Sequence, residues 1–183
     1  MTTYSAAFAN AWAKTGRAEG GYVNDPEDSG GETNHGITIG VARKAGYAGP
    51  MRDLTPENAE RIAKQTYWDV MLLDEVASLS AQIAAELFDT GFHAGPTRAI
   101  SMMQRSLNAL NRQEKDYDDM LVDGQAGPKT LRALALYINR RRFAVKIMMR
   151  ALNGLQLEYY MSLVERRQKD ERFLNGWIMN RVS

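Results

Sequence analysis

Glu19-Gly20-Gly21-Tyr22-Val23-Asn24-Asp25-Pro26-Glu27-Asp28-Ser29-Gly30-Gly31-Glu32-Thr33-Asn34-His35-Gly36-Ile37-Thr38 is the stretch that decides the reading of this chain. Upstream of it, Tyr4, Phe8, Ala11 and Trp12 recur at helical spacing and predict a helix from about Thr3 to Arg17. Gly20-Gly21 stops that helix and leaves Glu19 at its C-terminal end. From Tyr22 to Ile39 the pattern changes to short β-type pieces separated by Asp, Pro, Ser and Gly, which predicts a small hairpin. Glycoside cleavage needs a carboxylic acid fixed on a rigid element, a second carboxylate facing it, and a hydroxyl to hold water. Glu19 fits the first requirement. Asp25, Glu27, Asp28 and Glu32 all compete for the second, and Thr33 offers the hydroxyl.

Outward from this stretch the chain reads as helical. Thr38 caps a short helix through Val41 to Ala45, and Thr55-Pro56-Glu57 is an N-cap with proline at the first helical position. Ser80 caps a segment carrying Ile83, Leu87, Phe88 and Phe92, and Gly95-Pro96 opens another with Ile100, Met103 and Leu107. Residues 111–124 are polar and acidic and predict an exposed loop. Pro128 starts a helix expected to continue through Arg150, Asn153-Gly154 breaks it, and a last long helix holds Leu157, Tyr160 and Val164. The expected class is α+β, predominantly α-helical with one small β-hairpin lobe.

The motifs carry a resemblance. Glu-Gly-Gly-Tyr-Val-Asn-Asp-Pro from Glu19, followed by the Asp28 to Thr38 pattern Asp-x-Gly-Gly-x-Thr-Asn-x-Gly-Ile-Thr, resembles the signature of glycoside hydrolase family 108. Its members are N-acetylmuramidases of phage-type endolysin or lysozyme character. Asp123-Gly124-Gln125-Ala126-Gly127-Pro128-Lys129-Thr130 resembles the turn of the peptidoglycan-binding region that follows this module, and Phe173 to Trp177 with Arg181-Val182 is a weaker echo. The resemblance implies a lysozyme-like fold, with residues 1–95 as catalytic region and 96–183 as a helical peptidoglycan-binding-like region packed on it. It implies Glu19 as general acid, Asp28 as the second carboxylate and Thr33 as the group that positions water, with no cofactor.

Trp12, Tyr22 and Phe88 are the apolar walls expected to raise the pKa of Glu19. Tyr22, Asn24 and Asn34 are expected sugar contacts, because carbohydrate sites pair an aromatic face with amides. His35 is expected to line the cleft as a hydrogen-bonding residue. Phe88-Asp89 with His93-Ala94-Gly95-Pro96 resembles the family's opposite cleft wall, where His93 stands in place of asparagine. That places Phe88 and His93 among the expected substrate contacts. With only His35 and His93, and no ligand-spaced partner, a metal site is not expected.

Composition bounds the remainder. At 183 residues, with 44% apolar residues and no cysteine, the chain suits one domain or two small lobes and excludes disulfides and thiolate chemistry. The N-terminus reads as an amphipathic helix and not as a signal peptide. The resemblance then implies a host-cytoplasmic protein that reaches the periplasmic wall through a holin-type pore. From Tyr137 onward ten Lys/Arg stand against four Asp/Glu, within a chain whose net charge is +1. That basic end suits weak contact with an anionic surface. No nucleic-acid motif accompanies it, so peptidoglycan is the expected partner and nucleic acid is not. A monomer is expected, and a lytic transglycosylase or a non-catalytic wall-binding protein are the competing readings.

Overall fold

The computed structural model describes residues 5–16, 21–24 and 31–182. Helix α1 (Ala6–Thr15) starts where the Ser5 hydroxyl accepts from the Phe8 amide, and it ends at Gly16. Two short antiparallel strands follow, β1 (Thr33–Asn34) and β2 (Ile37–Thr38), with Thr33 opposite Thr38 and Asn34 opposite Ile37. Then come α2 (Ile39–Lys44), α3 (Pro56–Ala63), which runs on into a π-helical turn over Lys64–Trp68, and α4 (Leu73–Leu79). The rest of the described chain is helical: α5 (Ala81–Ala94), α6 (Pro96–Ala109), α7 (Pro128–Arg140), α8 (Ala144–Arg166) and α9 (Glu171–Arg181). The expected caps form: Thr38 accepts from the Val41 amide, Thr55 from Asn58 and Ser80 from Ile83.

Helix α5 is the axis of the fold and packs against α1, α4, α6 and α8. Its Ile83, Ala84, Leu87, Phe88, Gly91 and Phe92 are all buried, the all-round burial expected of a core helix. A Cβ at Gly91 would come within 2.5 Å of the Met71 Cε, so a larger residue there would require the buried Met71 side chain to move. Phe8, Trp68 and Phe88 meet edge to face, with centroids 5.3 to 5.8 Å apart. Each such pair adds about 1 kcal/mol beyond simple burial. This aromatic triangle ties α1 to the π-turn and to α5.

One expectation is corrected and another refined. The break expected at Asn153-Gly154 is absent, and α8 runs straight through it. Asn153 turns its amide back onto the Met149 carbonyl at 2.8 Å, and Gly154 sits on the exposed side, so neither residue competes with the helix. The chain breaks instead between Arg140 and Ala144, where Phe143 takes a left-handed conformation (φ 62°) and Arg141 turns away to pair with Asp116. The expected exposed loop over 111–124 is present, non-helical and exposed at most of its residues, and it is pinned at a few points. Asn108 holds the Met120 backbone at 2.7 and 3.0 Å, and Asn111 bonds Asp119 and the Tyr117 backbone. Asp116 is buried between Arg112 and Arg141.

Candidate active site

The hairpin presents the hydroxyl. Val23 and Thr33 exchange backbone hydrogen bonds of 2.8 Å in both directions, so the strand carrying Thr33 is held on both edges. His35 (φ 51°) and Gly36 (φ 73°) form the two-residue turn, whose paired positive φ values match the twist of the flanking strands. Among the described residues the Thr33 hydroxyl donates to the Gly31 carbonyl, at 3.3 Å, a long bond, and its lone pairs accept from no described group.

A groove of about 500 Å³ lies alongside α1, lined by Trp12, Ala13 and Gly16, by His35 from the hairpin turn, and by Glu57 and Glu60 of α3. It opens at the end of α1 that leads to Glu19. The Glu57 carboxyl is held below the usual range, first by its own backbone amide at the helix start and then by the Thr55 hydroxyl, with His35 adding a smaller effect. Glu57 and Glu60 are carboxylates of this groove that the sequence reading passed over. Glu57 looks like an ordinary first-turn helix residue and Glu60 like an ordinary mid-helix one until the hairpin is folded against them.

The end of α1 is anchored from beneath. Thr15, its last residue, is buried and donates to Asp89 Oδ1 at 3.1 Å. Arg181 of α9 reaches the same oxygen at 3.1 Å, and the Gln156 amide of α8 reaches Asp89 Oδ2 at 3.4 Å and Thr90 Oγ1 at 3.1 Å. Burial raises the Asp89 carboxyl while Arg181, Thr15 and Gln156 pull it back, and the net direction is upward. His93, one turn further along α5, engages Arg181 through Nε2 and packs edge-on to Phe92. Burial, with the Arg181 charge beside it, depresses its pKa to about 3, so the ring is neutral. Four helices thus meet on one carboxylate directly below the end of α1.

The family model described as glycosyl hydrolase 108 matches residues 12–95, and the model described as a predicted peptidoglycan domain matches residues 98–182. Over residues 12–95 the chain is similar to the glycosyl hydrolase 108 family, and over residues 98–182 to that peptidoglycan domain. Among solved structures, that of SagA from Brucella abortus superposes with a TM-score of 0.70 and 28% identity, over 93% of this chain and 86% of that chain. No curated protein matches. The fold is the mostly helical, lysozyme-like α+β class, the protein is a glycoside hydrolase, and its C-terminal half makes peptidoglycan its partner.

The expected site residues divide clearly. Glu19 and Asp28 lie outside the described residues. Thr33 and His35 come together on the hairpin, with His35 in the groove wall. Tyr22 stands beside them, its hydroxyl donating to Glu32 at 3.2 Å and its ring covered by the Arg52 guanidinium at 5.7 Å. Asn24 is exposed. Three expected sugar contacts are corrected. Asn34 is 4% exposed, and its amide is used on the Met51 carbonyl at 2.8 Å, tying the hairpin to the turn before α3. Phe88 is fully enclosed in the core, where it supports α1 from within and cannot touch a sugar. His93 faces Arg181 beneath α9, so its Nε2 is already taken. Asp89, set among the apolar positions of α5, is the structural hydrogen-bond partner that its place in the sequence suggests, and Arg181 is the distant partner that the sequence does not name.

The Asp123 to Thr130 turn is fastened to α6 by one residue. Gln104 donates to Asp123 Oδ1 at 2.8 Å, to the Gln125 carbonyl at 3.2 Å and to Thr130 Oγ1 at 3.3 Å, and it accepts from the Gly124 amide at 2.8 Å. Gly124 sits at φ 71°, and a Cβ there would come within 2.5 Å of the Thr97 carbonyl, so this position needs glycine.

Proposed function

We propose that this peptidoglycan hydrolase is an N-acetylmuramidase that cleaves the β-1,4 bond between N-acetylmuramic acid and N-acetylglucosamine. In this reading Glu19 is the general acid that protonates the leaving oxygen. Asp28 stabilises the positive charge on the sugar ring or activates water, and the Thr33 hydroxyl positions that water. The observation that carries the reading is the placement of Thr33. It stands on a hairpin whose turn residue, His35, lines a groove at the end of α1, and the family match spans the whole Glu19 to Thr38 stretch. Tyr22 and Asn24 supply sugar contacts from the same lobe.

The wider setting is also a proposal. Residues 1–95 form the catalytic region and 96–183 the wall-binding region of a monomer, with its basic end in weak contact with anionic surfaces. The protein acts as a phage endolysin that leaves the host cytoplasm through a holin-type pore and lyses the cell. Among the described residues no helix is long and apolar enough to cross a membrane.

The test is clearing of permeabilised cells by wild type and by Glu19→Gln, with mass spectrometry of the soluble fragments. Clearing by wild type alone, with reducing muramic-acid ends, is the expected result. Anhydro-muramic ends would make the enzyme a lytic transglycosylase. Equal clearing by both proteins would remove Glu19 from the mechanism.

A further inference from the structure

On the flank of α1 away from the groove lies a second cavity, of about 600 Å³, at the seam between the two halves of the chain. Lys14 of α1 and Gln82 and Glu86 of α5 line it from one half, and Lys146, Met149 and Arg150 of α8 from the other. Its volume is that of a pocket for a small ligand. Glu86 is only 5% exposed, and its buried Oε1 has no hydrogen-bond partner. A buried carboxyl left this way costs stability, and a purely structural wall would carry an apolar residue there. The three cations at the rim are exposed, and none takes part in an ion pair among the described residues. Lys146 and Arg150 stand one helical turn apart on α8, a like-charge pair that repels.

We propose that this seam is a binding site for an oxyanion-bearing ligand. Lys146 and Arg150 on one side and Lys14 on the other close on a carboxylate or phosphate, with the Gln82 amide as a neutral donor. The bound anion relieves the repulsion along α8. Glu86 completes the site as a hydroxyl donor while its carboxyl is protonated. Burial first, then the Asp89 charge, push its pKa up to about 7, with Lys14 opposing, so that form is available at and below neutral pH. The groups around it are Lys14 from α1, Tyr160 from α8, Lys146 and Arg150 of α8 in the wall of the same cavity, and Gln82 and Asp89 from its own helix. Bearing on the same polymer as the proposed muramidase activity, the source favoured here is the carboxylate-rich stem peptide of peptidoglycan, and that choice rests on that activity. Inorganic phosphate is the alternative source.

The test is an amide-shift titration of the full-length protein with the free tripeptide L-Ala-γ-D-Glu-meso-diaminopimelate, with the same peptide amidated at its carboxyls, and with inorganic phosphate. The free tripeptide is expected to move the amides of Lys14, Gln82, Glu86, Lys146 and Arg150, and the amidated one to leave them in place. The exposed double substitution Lys146→Glu/Arg150→Glu is expected to weaken binding by about tenfold or more. Glu86→Gln, which keeps a donor of the same shape, is expected to bind but to lose the weakening seen in wild type as pH rises from 6 to 8. Saturation by phosphate without the tripeptide would keep the oxyanion site and overturn the stem-peptide source. No shift at these residues up to about 10 mM of either probe, or unchanged affinity in the charge-reversed protein, would overturn the site. The peptide contains no glycosidic bond, so this titration and the Glu19→Gln lysis assay fail independently.

Discussion

If Asp89 and Arg181 hold the end of α1, removing either should unsettle both the fold and the turn that follows Thr15. The two charges lie 3.1 Å apart, with side chains 17% and 12% exposed, so solvent screens them little. At an effective dielectric of about 20 and that separation, the attraction is about 5 kcal/mol. Fixing a long arginine side chain offsets about 2 kcal/mol of it. A coupling of about 2–3 kcal/mol remains, in the range of a hydrogen bond between charged groups. The assay is a double-mutant cycle over Arg181→Met, Asp89→Asn and the pair, read from urea midpoints at pH 7. The singles should each lower the thermal midpoint by about 4–10 °C, and the double should cost less than their sum. In Arg181→Met the His93 pKa should move up from about 3, because one of its two depressing causes is gone, yet stay below 6.5 because burial remains. Wall-lytic kcat should fall by about 10- to 100-fold as the acid loses its alignment. A coupling below about 0.5 kcal/mol would refute the claim that this pair anchors the helix end.

Other expectations follow from the same geometry. Thr33→Ala should lower kcat by about a hundredfold or more while leaving the denaturation midpoint nearly unchanged, since the hydroxyl makes one long bond to Gly31. A parallel loss of stability would make Thr33 a structural residue. Neutral His93 binds fewer protons when folded than when unfolded between pH 6.5 and about 3, so its share of stability is present above that window and lost as pH falls through it. Glu86 acts oppositely, with its share present below 4.5 and lost as pH rises through about 7. Glu86→Gln should therefore stabilise the protein at pH 8 by about 1–3 kcal/mol and do little at pH 4, as urea midpoints at the two pH values would show. Gly124→Ala should cost about 2–3 kcal/mol, from left-handed backbone strain and the contact with the Thr97 carbonyl, and a midpoint unchanged by it would contradict that packing.

What the sequence made legible was local. A hydroxyl three residues before an amide, a proline at the first helical position, or His35-Gly36 between two threonines acts over a few residues, and the caps of α2, α3 and α5 and the hairpin formed as read. What stayed hidden depended on distant partners. The helix break moved to Arg141–Phe143 because Arg141 pairs with Asp116, while Asn153-Gly154, a strong local stop signal, was overridden by the packing of α8. Polar residues over 111–124 suggested solvent, yet composition alone cannot separate a solvated polar group from one satisfied by Asn108 or Asn111. The same limit misplaced Asn34 and His93, whose chemistry suits a sugar but whose hydrogen bonds are used inside the protein.

Helix α5 shows why the two halves of this hydrolase depend on each other. A central helix gains most from apolar residues, yet α5 carries Glu86 and Asp89 on faces that fold inward. Each buried carboxyl is a cost unless something answers it. Asp89 is answered by Thr15 from the same half of the chain, and by Gln156 and Arg181 from the other. Arg181 lies 92 positions away, at the end of the last helix. Beyond the wall-binding role proposed for it, the C-terminal half completes the electrostatics under the last residue of α1. A protein cut before α9 would keep the hairpin, the groove and Glu19, but would leave Asp89 without Arg181, the stronger of the two cations that act on it. Its carboxyl would then be pushed further up by burial, and the end of α1 would lose part of its anchor.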